Sequence, residues 1–275
     1  MKYDVRHEAG FRYRTTATVI EQIAAETAPR VQAVTGLALP DRPRIRLVTP
    51  RGYRRASGDH FARVLQQDIN DLNPWQRWID AARQEQRDRD RHLRRSGWLL
   101  IGAETITDAS GTPEVLFMPR AARHAGLLGP WLNVMVAHQL TTVAQVHTQP
   151  RLAVLAGTLM PEQRRDIDAQ ALMIVMVGQG LWAARTILAE RGITATGGRT
   201  SRRYRRLTAA QPGPVPDGDT PTSQQPHEIG AAFVTHVEQV APGAVNGVWN
   251  DLTRTPTTAE LFDPPAWLVR TGITA

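Results

Sequence analysis

The chain has 275 residues, 41% of them hydrophobic, enough for one large or two small domains with a substantial buried core. It has no cysteine, which excludes disulfides, thiol nucleophiles and cysteine-ligated zinc and leaves His, Asp and Glu as the strong metal ligands. Lys and Arg number 33 against 26 Asp and Glu, a net charge of +7, and Lys2 is the single lysine, so arginine carries the attraction to nucleic acid or anionic surfaces.

The N-terminal run from Met1 to Glu8 has no apolar signal-peptide core, and no stretch reads as the ~20 apolar residues that span a bilayer. The expectation is a cytoplasmic protein without a membrane span. Helical spacing of Val19, Ile20, Ile23, Ala24, Val31 and Val34 predicts a first helix over Thr18 to Thr35, with Pro29 inside it and Gly36 as its stop. Arg44 to Thr49 alternates polar and apolar residues before Pro50, which predicts a short strand with a solvated charged face. Asp59 to Arg95 is helical and increasingly charged, with Trp75 and Trp78 on a buried stripe and near-neighbour ion pairs from Arg83 onward.

Trp98 to Ile106 and Glu114 to Met118, joined across the polar turn Asp108 to Pro113, predict a hairpin. An apolar helix follows from about Leu127 to His147, carrying Val136-Ala-His138-Gln139-Leu-Thr-Thr142, and a second runs from about Pro161 to Glu190. Arg199, Arg202, Arg203, Arg205 and Arg206 surround Tyr204 in the densest basic cluster, a candidate anion or nucleic-acid site. Gln211 to Pro226 is rich in proline and glycine and predicts a linker or loop, after which His227 to Trp249 is helical. Thr257-x-x-Glu260 fits a capping box, and Asp263-Pro264 an N-cap with proline at the first helical position.

Two histidines one helical turn apart, with a glutamate after the first, bind zinc and activate its water in zinc hydrolases. The segment 136–142, the run Met173 to Trp182 and the tail Gly243 to Trp249, Pro256 to Glu260 and Asp263 to Arg270 resemble a bacterial family of zincin-like, zinc-dependent metalloproteases, some labelled as associated with deazaflavin-cofactor biosynthesis. The resemblance covers about the C-terminal two thirds of the chain. It implies an α+β, predominantly helical fold with a zincin-like core and a small sheet; with the break in composition at 211–226, the expected division is a core over residues 1–210, a mobile linker or loop at 211–226, and a C-terminal helical segment at 227–275 packed on the core.

Carried over position by position, the resemblance makes His138 the first zinc ligand, puts Gln139 where the general base stands, and puts Thr142 and Val177 at the second and third ligand positions. Gln139 has no basic oxygen, and Thr142 and Val177 are not zinc ligands. The expectation is therefore a catalytically inactive homologue, a pseudoenzyme that binds a peptide or protein partner in the retained cleft and needs no cofactor. Glu114 to Met118 is the expected edge strand for that partner. Two alternatives stand beside it: a zinc peptidase with ligands rebuilt from His147, Asp166, Asp168, Gln179 or Glu190, and nucleic-acid or anionic-surface binding through the arginine cluster.

Overall fold

Alternation at Arg44–Leu47 turns Ile45 and Leu47 into the core and leaves Arg44 and Arg46 on the other face, and the same period builds the rest of the sheet. In a computed structural model, which describes residues 3–72, 84, 87, 88, 91, 97–153, 167–195, 198–209 and 225–273, four strands form one mixed sheet. They are β1 (Asp4–His7), β2 (Arg44–Leu47), β3 (Ala103–Thr107) and β4 (Pro113–Phe117). The order is β1-β2-β4-β3, parallel except for the antiparallel β3–β4 hairpin.

That order corrects one expectation. Glu114 to Met118 is not an edge: β4 pairs with β2 on one side and β3 on the other, and all five of its residues are buried. Nor is the charged face of β2 simply solvated. Glu114, buried between the two arginines, accepts from Arg44 Nη1 at 3.4 Å and Arg46 Nη1 at 2.8 Å, and Glu8 takes the rest of Arg46. Trp98 to Leu100 forms a 3-10 turn rather than the start of a strand.

Helix α1 (Arg14–Thr35) runs unbroken through Pro29 and ends at Gly36, and α2 (Pro50–Leu72) follows β2. The Trp75/Trp78 stripe lies outside the described residues, whereas the predicted near-neighbour ion pairing is present between Arg91 and Asp88 at 2.8 Å. After β4 come α3 (Pro119–His124), α4 (Trp131–Thr148), α5 (Ala169–Glu190) and α6 (Arg202–Ala209). Last come α7 (Gln225–Val240), α8 (Asn246–Asn250) and α9 (Pro264–Arg270). The sheet is thus a middle layer. Ile45, Leu47, Val115 and Phe117 face the main core with α1, α4 and α5, and Leu116 and Ile106 face a smaller cluster with Tyr53 and Trp98.

Helix α5 is long and apolar enough to cross a bilayer, a stretch the sequence reading passed over, but 72% of its apolar window is buried inside the protein, as in a core helix. Its N-cap is Asp168, which accepts from Ala171 N and also from the hydroxyl and N–H of Thr258, tying the tail to the helix start. The predicted 211–226 loop falls outside the described residues except for Gln225 and Pro226, which already belong to α7.

The helix expected over His227 to Trp249 is two, separated by a turn at 241–245. Thr257 and Glu260 make the reciprocal capping-box bonds at 2.8 and 3.2 Å, yet the segment closes only a turn. Asp263 caps α9 as expected, with Pro264 first in the helix. Trp267 then stacks edge-on against Phe233 of α7 with ring centroids 5.4 Å apart.

Candidate functional site

Helices α5 and α7 approach one another through glycine. A Cβ on Gly178 would fall 2.2 Å from Gly230 C, and one on Gly230 would fall 2.0 Å from Ile174 O, so only two bare backbones allow this crossing. One turn before Gly230, the crossing sets His227 beside His138 of α4, with ring centroids 5.4 Å apart and planes tilted by 39°. A third glycine makes room for the pair: a Cβ on Gly180 would lie 2.8 Å from His138 Cδ2 and 3.0 Å from Nε2.

His138 is held in one orientation. Its imidazole bonds the carbonyl of Val177, and Nε2 is buried without a hydrogen-bond partner. A carbonyl only accepts, so the ring nitrogen facing Val177 carries the proton and Nε2 presents a lone pair. Burial, and then the neighbouring His227, push the pKa down to about 4 against the opposing pull of the Val177 bond, so the ring is neutral at pH 7.

Of the other expected positions, Gln139 comes to the same place. Its Oε1 accepts from Thr105 Oγ1 of β3 at 2.8 Å. Thr142 turns its hydroxyl back onto the His138 carbonyl at 3.2 Å, and Val177 offers that site only its backbone oxygen. The rebuilt-site residues do not converge on His138. His147 is exposed near the end of α4, Asp168 caps α5, and Glu190 pairs with Arg30. Gln179 is buried in a network with Gln145, Asn246 and Trp249, and Asp166 lies outside the described residues. Among the described residues no group of three or more His, Asp or Glu is placed to hold a metal ion, so the donors here do not fit a three-ligand zinc centre.

His138, Gln139 and His227 open into a cavity of about 530 Å³ with apolar walls from Leu127, Trp131, Met135 and Leu181. Its far rim comes from the basic cluster. The segment 198–201 pairs with the end of α3, Gly198 N to Gly126 O and Ser201 N to His124 O, both at 2.8 Å. This delivers Tyr204 and Arg205 to the cavity, whereas Arg199, Arg202, Arg203 and Arg206 point outward. The five arginines therefore divide between two surfaces. His124 beneath them sits below its ordinary pKa, first through burial and then through Arg120, Arg203 and Arg123.

Beside Gln139, β3 is the edge of the sheet among the described residues. Asp108 N donates to Thr112 O and Met118 N to Gly102 O, so alternation points the backbone groups of 104 and 106 toward β4 and those of 103, 105 and 107 outward. At Thr107 the outward groups are taken by His60 and Arg63 of α2. Sequence reading missed His227, Arg185 and Glu228 as cavity residues. His227 lies 89 positions from His138, and the only local hint is Gly230 one turn later, a glycine in a helix interior.

Comparison with known proteins gives a fold precedent. A solved structure from Chloroflexus aurantiacus, described as "a putative hydrolase with a novel fold", matches with a TM-score of 0.57 at 15% identity. The match covers 97% of this chain and 93% of that one. The two chains share a fold. At that identity the likeness says nothing of a shared reaction. No family model and no curated protein matches the chain.

Proposed function

We propose that this chain is a zincin-like protein that binds an extended peptide segment of a partner without cleaving it. The observation that carries the reading is Gln139, standing between the β3 edge and the cavity where an acid or base would have to act. Its carbonyl oxygen is bound to Thr105, and an amide has no basic oxygen to take a proton from water. Around it, the Thr142 hydroxyl and the Val177 side chain supply neither a second nor a third ligand, and a working zinc centre finds correspondingly little support. What is retained is the means of binding: outward backbone groups at Ala103 and Thr105 for strand addition, and a cavity large enough for one or two side chains.

The test uses the intact protein and a phage-displayed library of random decapeptides. Selected peptides are expected to bind the wild type and to lose affinity with Ala103→Pro, which removes one outward N–H at a first-strand position where proline is tolerated. Failure to select any peptide, or binding untouched by Ala103→Pro, overturns the reading.

A second reading rests on the exposed arginines around α6. The outward arginines Arg199, Arg202, Arg203 and Arg206, joined by Arg120 and Arg123, form a basic face suited to nucleic acid or an anionic surface. Affinity for single-stranded DNA that falls steeply with salt and with Arg202→Ala/Arg203→Ala supports it, and salt-insensitive or absent binding counts against it.

A further inference from the structure

The polar groups around the cavity divide into those already engaged and those left for a ligand. Arg185 and Glu228 hold each other through two bonds of 2.9 and 2.7 Å, and Thr208 returns its hydroxyl to the backbone of Tyr204 and Arg205. Among the described residues, the groups left include the buried Nε2 lone pair of His138, the side-chain NH₂ of Gln139, the Tyr204 hydroxyl and the Arg205 guanidinium. The floor therefore asks for one N–H or O–H donor and one acceptor, the rim asks for an anion, and the walls ask for an apolar body.

One chemical group meets all of these together. The last residue of a peptide offers an amide N–H, the preceding amide C=O, a side chain and a carboxylate within a few bonds. We propose that the cavity binds the free C-terminus of a peptide ending in an apolar residue, with the α-carboxylate on Arg205 and Tyr204, the amide N–H on His138 Nε2, and the side chain against Trp131 and Met135. The assignment rests on the reading of the cleft as a peptide-binding site that does not cleave, and it narrows that reading from any extended segment to chain ends. The neutrality of His138 matters here, because an imidazolium presents no lone pair to the incoming N–H.

The experiment measures fluorescence anisotropy with two pools of N-terminally dye-labelled octapeptides, identical except at the end, with Leu, Ile, Val or Phe randomised at the last two positions. One pool has a free carboxylate and the other a C-terminal amide. The free-acid pool is expected to bind at least about ten-fold more tightly, with Arg205→Ala abolishing the difference and Arg205→Lys restoring part of it. Arg205 is exposed and unpaired among the described residues, so its replacement leaves the fold intact.

If acid and amide pools bind alike and both are weakened by Ala103→Pro, the C-terminal assignment is wrong while the cleft reading stands. If neither pool binds, both fall. If octanoate displaces the bound pool as well as a free-acid peptide does, the cavity reads only a generic apolar acid, and the peptide assignment is likewise overturned.

Discussion

Replacing Gly230 with alanine tests the crossing that assembles the cavity. In an open helix interior the change stabilises a protein by about 0.5–1 kcal/mol, because glycine loses more backbone freedom on folding. At this position the new Cβ lies 2.0 Å from Ile174 O and 2.8 Å from Gly178 Cα, so α5 and α7 must part by more than an ångström. Their neighbours, including Val175, Phe233 and Val234, are buried and separate with them. Overpacking of this kind costs about 1–3 kcal/mol or more, and a contact with rigid backbone belongs at the top of that range.

With an unfolding entropy of about 2.1 cal/mol/K per residue, a net loss of about 3 kcal/mol in a chain of this length lowers Tm by roughly 5 °C. The assay is calorimetric melting of wild type, Gly230→Ala and Gly58→Ala, the last on α2 with nothing within 4 Å of its added Cβ. Gly58→Ala is expected to melt at or slightly above wild type. A Gly230→Ala protein as stable as wild type would refute the bare-backbone crossing and with it the placement of His227.

Three further outcomes follow from the same geometry. His138 has a folded pKa of about 4 against an ordinary 6.5, so the unfolded chain binds the proton first as pH falls. Stability from this group is complete above pH 6.5 and declines toward pH 4, by about 2 kcal/mol at pH 5. His138→Met is expected to flatten that part of the pH profile measured by urea unfolding, and an unchanged slope would assign the acid lability elsewhere. Glu114→Gln leaves Arg44 and Arg46 facing a neutral amide and is expected to cost about 1–3 kcal/mol, the arginines' partial exposure and other partners limiting the loss; a urea midpoint equal to wild type would show the network to be dispensable. Trp249→Phe removes the 2.8 Å indole bond to Gln179 Oε1, which keeps its bond from Gln145, so a loss of about 1 kcal/mol is expected and a loss above about 3 would mean the network collapses.

Much of this fold is legible in local spacing. Period-2 alternation marks β2, the polar turn at 108–113 marks the hairpin, 3.6 periodicity marks the apolar helices, and Asp263-Pro264 marks the start of α9. What local spacing does not carry is strand order, since β4 becomes central only because β2, about 70 positions earlier, pairs with its far side. The site is legible by half. His138 and Gln139 stand out as a motif on an apolar helix, whereas His227, Arg185 and Glu228 have no local mark beyond the helix-interior Gly230 and join only through the Gly178–Gly230 crossing. The basic cluster is visible as composition, but its division into Tyr204 and Arg205 at the cavity and four outward arginines depends on how 198–201 pairs with the end of α3.

The most direct measurement incubates the purified protein, with and without added zinc, with the peptides it binds, and reads the products by mass spectrometry alongside the zinc bound per chain. A protein that binds without cleaving returns the peptides intact under both conditions. Fragments that accumulate with zinc, vanish on chelation and are lost in His138→Ala would contradict it and make the protein a working metallopeptidase.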